Sequence, residues 1–113
     1  MVVRKQKKEE EDMKLEAIEK KDCTILRIKI SGNIAPETLK KLSPPPVNPK
    51  KLLILAGRAP IWFYSHLTHR YHPVVAIATY DPRQGCVVIA SHSKRYTTGD
   101  VLDLKYEELS PDF

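Results

Sequence analysis

The residues able to do chemistry are concentrated between Gly57 and Ser93 of this 113-residue sequence. Three of the four histidines, His66, His69 and His72, lie in one stretch, with Arg58 before them and Asp81, Arg83 and His92 after them. Imidazoles exchange protons near neutral pH and join carboxylates as ligands of divalent metals, while guanidinium groups suit phosphate. On a helix, His66 and His69 share a face, with Cβ atoms about 5–6 Å apart. His72 precedes Pro73 and is turned out of helical geometry, close to the negative helix end, where a cation or a protonated imidazole is favoured. Such a pair is a weak signal by itself, and histidines on a solvated helix end are the plainer reading until Asp81 is added.

These groups need a scaffold. Leu52 to Ala56 is a short apolar run that reads as a buried strand, and Gly57 allows a tight turn after it. Ala59 is the expected N-cap, Pro60 fits the first helical position, and the helix runs from Ile61 to Tyr71 until Pro73 stops it. Ala59 has no side-chain oxygen to cap the helix, so water or an anion must meet the first N–H groups, beside the Arg58 guanidinium. Before this unit, Met13–Ile18 and Cys23–Ile30 alternate as strands around a Lys20–Asp22 turn, with Leu26, Ile28 and Ile30 facing in. Pro36 opens a short helix through Leu42, and Pro44-Pro45-Pro46 ends it. After the unit, Val74–Tyr80 and Cys86–Ala90 are nearly continuous apolar runs, expected to be covered on both faces. The turn between them, Asp81 to Gly85, has an Asp to bond its own backbone and a Gly for positive φ. Ser91-His92-Ser93 runs into Lys94-Arg95-Tyr96, a polar tip suited to phosphate contacts and base stacking, and Val101–Tyr106 is a closing edge strand.

The expected fold is therefore α/β: one compact domain, residues 13–113, with a mixed sheet of about six strands and two helices in the order ββαβαβββ. Residues 1–12 form a charged leader without apolar periodicity. The net charge of +5 suits an anionic ligand without announcing a duplex-DNA binder. Cys23 and Cys86 sit in apolar strands and are expected to be reduced and inert. No run is long enough to cross a bilayer, and a cytoplasmic location is expected.

Taken together, Gly57-Arg58-Ala59-Pro60-Ile61-Trp62, His69-Arg70-Tyr71-His72, Tyr80-Asp81-Pro82-Arg83 and Ser91-His92-Ser93 resemble the small CRISPR-associated ring nucleases of the Csx-three type. The likeness runs from about Met13 to the closing strand. Ala59 stands where members have Gly, Arg70 where they have Lys, and Tyr64 where they have a further histidine, so no role is carried to Tyr64. The resemblance implies manganese-dependent cleavage of cyclic tetra-adenylate, the second messenger of type III CRISPR defence, or deadenylation of RNA. It implies a homodimer that stacks head to tail around the ring, and a fold distantly similar to cyclic-oligoadenylate-sensing domains. It carries active-site roles onto His72, Asp81, Arg83 and His92.

The residues suit that chemistry. Asp81, His72 and His92 are candidate ligands of Mn²⁺ or another divalent ion, and Arg83 can neutralise charge developing on phosphorus. A 2′-hydroxyl is the candidate nucleophile, with His69 or His72 as its proton acceptor. Gly57, Arg58, Ser91 and Ser93 are candidate phosphate and ligand contacts. An exonuclease acting on adenylate-rich RNA and a non-catalytic cyclic-oligoadenylate or RNA sensor are the rival readings.

Overall fold

The computed structural model describes residues 13–104. The charged leader and Tyr106 lie outside the described residues. Strands β1 (Met13–Glu19) and β2 (Cys23–Ile30) form an antiparallel hairpin closed by the Lys20 N–H donating to Cys23 O at 2.7 Å. Helix α1 (Thr38–Lys41) then leads to β3 (Leu52–Gly57), α2 (Ile61–Arg70) and β4 (Ala76–Asp81). β5 (Gly85–Ser91) and β6 (Val101–Leu102) complete a six-stranded mixed sheet in sequential order. β2, β3 and β4 are mutually parallel, and the other pairs are antiparallel. The expected α/β architecture and element order are those observed.

Strand pleating explains the two cores. Along β3, Leu53 and Leu55 point to one face with Leu26, Ile28 and Ile77, and there they meet Phe63 and Leu67 of α2. Leu39 and Leu42 of the α1 region pack on the same face. Successive crossovers of one hand across parallel neighbours place both helices on one side of the sheet. Leu52, Ile54 and Ala56 point the other way, joining Ile25, Ala78, Cys86 and Val88 beneath Tyr80, Tyr96, Leu102 and Leu104. Cys23 and Cys86 are buried there as thiols, not joined in a disulfide, and burial pushes the Cys86 thiol up to about 11, which leaves it unreactive.

The expectation that β4 and β5 are both covered on two faces holds for β4 alone. No β5 residue belongs to the core beneath α2, and a bulge between the Ile77–Ala90 and Ala78–Val88 pairs leaves Ile89 as an extra residue, 37% exposed.

The direction of α2 positions the site. It begins at the carboxyl end of β3 and must return to the amino end of parallel β4, so its two termini lie at opposite ends of the sheet. Its N-cap is Pro60 rather than Ala59, with extended φ −62° and ψ 156° and no side-chain cap. The Pro60 carbonyl accepts from the N–H groups of Phe63 and Tyr64, which moves the helix start one residue along.

Candidate functional site

One group of candidate residues gathers where α2 ends. The backbone N–H of His72 bonds His69 O at 3.3 Å and its Nδ1 lies 3.1 Å from the same carbonyl. A carbonyl only accepts, so Nδ1 of neutral His72 carries the proton and Nε2 keeps its lone pair. His92 reaches the same place from β5. Its backbone N–H donates to Val75 O at 2.8 Å, and its Nε2 lies 3.1 Å from His72 O, which by the same logic makes Nε2 the donor. His69 stacks on His72 with ring centroids 5.9 Å apart. All three imidazoles are exposed.

Beneath them is an apolar cleft of about 210 Å³ lined by Thr68, His72, Val74, Ile77, Ala90 and His92. Thr68 turns its hydroxyl back to Tyr64 O at 2.8 Å and so shows the cleft no free donor. The cleft is thus apolar, with the His72 and His92 side chains contributing to its lining.

Ser91 and Ser93 belong to this end, though not as an equivalent pair. The Ser91 hydroxyl donates to Ser93 O at 2.9 Å and accepts from Ser93 N–H at 3.1 Å, so its proton is spent within the loop. Ser93 Oγ accepts from Arg95 N–H at 3.0 Å, which leaves its own proton for another partner. His66 is not part of the cluster. It is partly buried and its Nε2 is enclosed without a hydrogen-bond partner, so the sequence pairing of His66 with His69 gives way to the pairing of His69 with His72.

The second group lies at the carboxyl ends of β3 and β4. Gly57 adopts φ +139°, a conformation side chains rarely take, and an added Cβ would strike the Ile28 carbonyl of β2. Arg58 follows and is exposed. Across the end, Asp81 Oδ1 accepts from Arg83 N–H at 2.7 Å and Asp81 O accepts from Gln84 N–H at 3.1 Å, the turn expected from the sequence, with Gly85 at φ +105°. One carboxylate oxygen holds the turn and the other is open to solvent. Among the described residues, Arg58 and Arg83 have no ion-pair partner; the two pairs described, Arg27–Glu16 and Lys51–Glu19, both bring a carboxylate from β1.

The length of β4 separates the groups. Ala76, where His72 and His92 gather, and Asp81 are five residues apart, about 17 Å along a strand. Within one protomer, then, His72 and His92 meet, and Asp81 and Arg83 meet, but the two pairs do not. Among the described residues no three His, Cys, Asp or Glu side chains are grouped to hold a metal ion. The candidate ligands of Mn²⁺ do not form a cage in a single copy.

Tyr64 is the residue sequence reading passed over. Its phenol donates to Gly57 O at 2.6 Å, and burial pushes it up to about 12. A tyrosine in the first turn of a helix that follows a strand and a glycine is the signal that was there to find.

Residues 27–103 match the family described as CRISPR-associated protein (Cas_csx3). The chain belongs to the Cas_csx3 family. A protein of Aquifex aeolicus (strain VF5), described only as "uncharacterized protein", is 41% identical over 86 residues, covering 72% of this chain and 78% of that one. Both groups of candidate residues fall within the Cas_csx3 match, which supports a CRISPR-related role and leaves the chemistry to the site. No described helix is long and apolar enough to cross a membrane.

Proposed function

We propose that this Cas_csx3 protein is a ring nuclease that opens cyclic tetra-adenylate into linear di-adenylate, and that it acts between copies stacked head to tail. The observation that carries the reading is the contact of His72 Nδ1 with His69 O, which in the neutral ring leaves the Nε2 lone pair available, on a residue that lines an apolar cleft. A flat base fits the cleft floor and brings its ribose to the imidazole. His72 Nε2 takes the proton of a 2′-hydroxyl, whose oxygen bonds the adjacent phosphorus as the bond to the 5′-oxygen breaks. The departing 5′-oxygen takes a proton from His69 or water. Each cut leaves a 2′,3′-cyclic phosphate and a 5′-hydroxyl, and two cuts divide the ring in half.

The charge that builds on the phosphoryl oxygens needs cations, and Arg58 and Arg83 lie at the other end of the sheet. Stacking the histidine end of one copy on the arginine end of the next brings both sets to one ring, and a symmetric dimer supplies each contact twice. Were Mn²⁺ bound, Asp81 of one copy and Nδ1 of His92 of the next would hold it and it would neutralise phosphate charge, leaving the Nε2 lone pair of His72 for the proton. A cytoplasmic location accords with a ligand made inside the cell.

The test is incubation with cyclic tetra-adenylate, with Mn²⁺ and then with a chelator, followed by chromatography. Conversion to linear di-adenylate is the expected result. An intact ring co-eluting with the protein would replace the nuclease with a sensor. Preferential shortening of linear adenylate-rich RNA would replace it with a deadenylating exonuclease.

A further inference from the structure

We infer that Tyr64 is a positioning residue that fixes the Gly57–Arg58 peptide, and through it the anion-facing turn at the carboxyl end of the sheet. Gly57 is held from two sides. On one, the β2 backbone at Ile28 lies so close that no side chain fits; on the other, the Tyr64 hydroxyl bonds the Gly57 carbonyl at 2.6 Å. The carbonyl that Tyr64 holds belongs to the peptide that carries the Arg58 N–H. That peptide is trans and planar, so C=O and N–H point in opposite directions and fixing one fixes the other.

Glycine is where this matters. With no Cβ to restrict it, the peptide after Gly57 is the one in this turn freest to rotate, and a rotated peptide would re-aim both the Arg58 N–H and the start of its side chain. The phenol is a durable clamp. It is partly buried and its ionisation lies far above neutral pH, so it remains a donor across the working range. Tyr64 also sits in the first turn of α2, packed beside the helix-face core, so the clamp ties Gly57 to the rigid helix–sheet unit. Tyr64 does not touch the nucleotide in this scheme. It acts through Arg58.

The role rests on the cyclic-nucleotide reading for its ligand, and on the turn alone for its effect on Arg58. The experiment therefore has two arms. In ligand-free protein, Tyr64→Phe is expected to shift the Arg58 amide resonance and lower its order parameter, with thermal denaturation confirming the fold. Tyr71→Phe serves as the control, because it removes the same kind of bond, from Tyr71 Oη to Pro45 O at 2.6 Å, at the other end of α2, and is expected to leave the Arg58 amide unchanged. An Arg58 amide unmoved in Tyr64→Phe overturns the proposal whether or not the protein cleaves the ring. Tyr64→Leu, apolar and without the hydroxyl, takes the place of the Phe variant if that variant is misfolded.

In the second arm, with cyclic tetra-adenylate, Tyr64→Phe lowers kcat/KM about tenfold, while in an Arg58→Ala background the same change has no further effect. Additive losses in the double variant overturn the route through Arg58. Absence of binding and cleavage by the wild type sinks the ligand and leaves the amide measurement as the judge of the clamp.

Discussion

The two ends of the sheet carry different chemistry. The amino end of β4 has three exposed imidazoles held by main-chain carbonyls and one another above an apolar cleft. The carboxyl end has two guanidinium groups without an ion-pair partner among the described residues, a carboxylate used in its own turn and a positive-φ glycine clamped by a phenol. The first can move a proton, and its cations, Arg70, Lys94 and Arg95, are exposed side chains, with Arg95 lying over the Tyr96 ring. The second can hold a phosphate but has no imidazole. The proposed cleavage draws on the imidazoles of one end and on Asp81 and Arg83 of the other, about 17 Å apart along β4, which is the physical argument for a site assembled from more than one copy.

The largest expected effect follows from that division. His72→Ala and Asp81→Ala should each lower ring cleavage by about 10²–10⁴-fold, the usual contribution of a positioned acid–base or charge-stabilising group. Mixing the two inactive variants should restore activity, because a junction between the intact histidine end of one and the intact aspartate end of the other is complete. Random pairing makes roughly a quarter of junctions complete. A mixture as inactive as its parts would mean that both groups act within one protomer, contrary to their separation.

Gly57→Ala probes the carboxyl end by itself. The new methyl meets the β2 backbone, and φ +139° strains any side chain, so a loss of stability of about 1–3 kcal/mol is expected in urea unfolding. A fully stable variant would show that the β2–β3 contact yields easily, which would weaken the case for a rigid anion-facing turn.

How much of this was legible in the sequence depends on which physical scale carried the signal. β2 was read to its end residues and β3 to within one, because alternation in Cys23–Ile30 and the apolar run from Leu52 report local pleating and burial. The Asp81 turn was legible because an Asx turn is bonded within a few residues. The joint site of His72 and Asp81 was not. Nine residues look close in sequence, yet most of that interval is an extended strand, and strand direction decides which end each group reaches. Ile89 was misread for a related reason, since a bulge depends on the pairing partner rather than on the apolar run itself. Tyr64 was passed over because its bond runs back to a carbonyl that only the strand–turn–helix geometry brings within reach.

Alkaline pH should sharpen the comparison by weakening both ends of α2 together. The Tyr64 and Tyr71 phenols are both pushed up to about 12 by burial, one bonded at the glycine turn and the other beneath the histidine end. A phenol whose folded value lies above its unfolded value near 10 contributes stability that is fully present below about pH 10 and lost as pH rises through about 12. Each hydrogen bond is expected to contribute about 1 kcal/mol below that window. In urea unfolding, the deficit of Tyr64→Phe or Tyr71→Phe against wild type should be constant from pH 7 to 9 and shrink toward pH 12. A deficit that stays constant throughout would mean that the hydroxyls contribute packing alone.

The smallest effect separates two serines that the sequence presents as equals. Ser91 spends both its proton and a lone pair inside the loop, whereas Ser93 spends only a lone pair and keeps its proton. If the histidine end touches a phosphate, Ser93 is the hydroxyl able to donate to it. Ser93→Ala should then raise KM for cyclic tetra-adenylate by a few-fold, about what one neutral hydrogen bond supplies, with little change in melting temperature. Ser91→Ala should show the reverse balance, a lower melting temperature from the lost loop bonds and a KM within about twofold of wild type. Equal effects on KM would mean that the loop's shape rather than the Ser93 hydroxyl meets the ligand, and would leave the imidazoles as the polar contacts at that end.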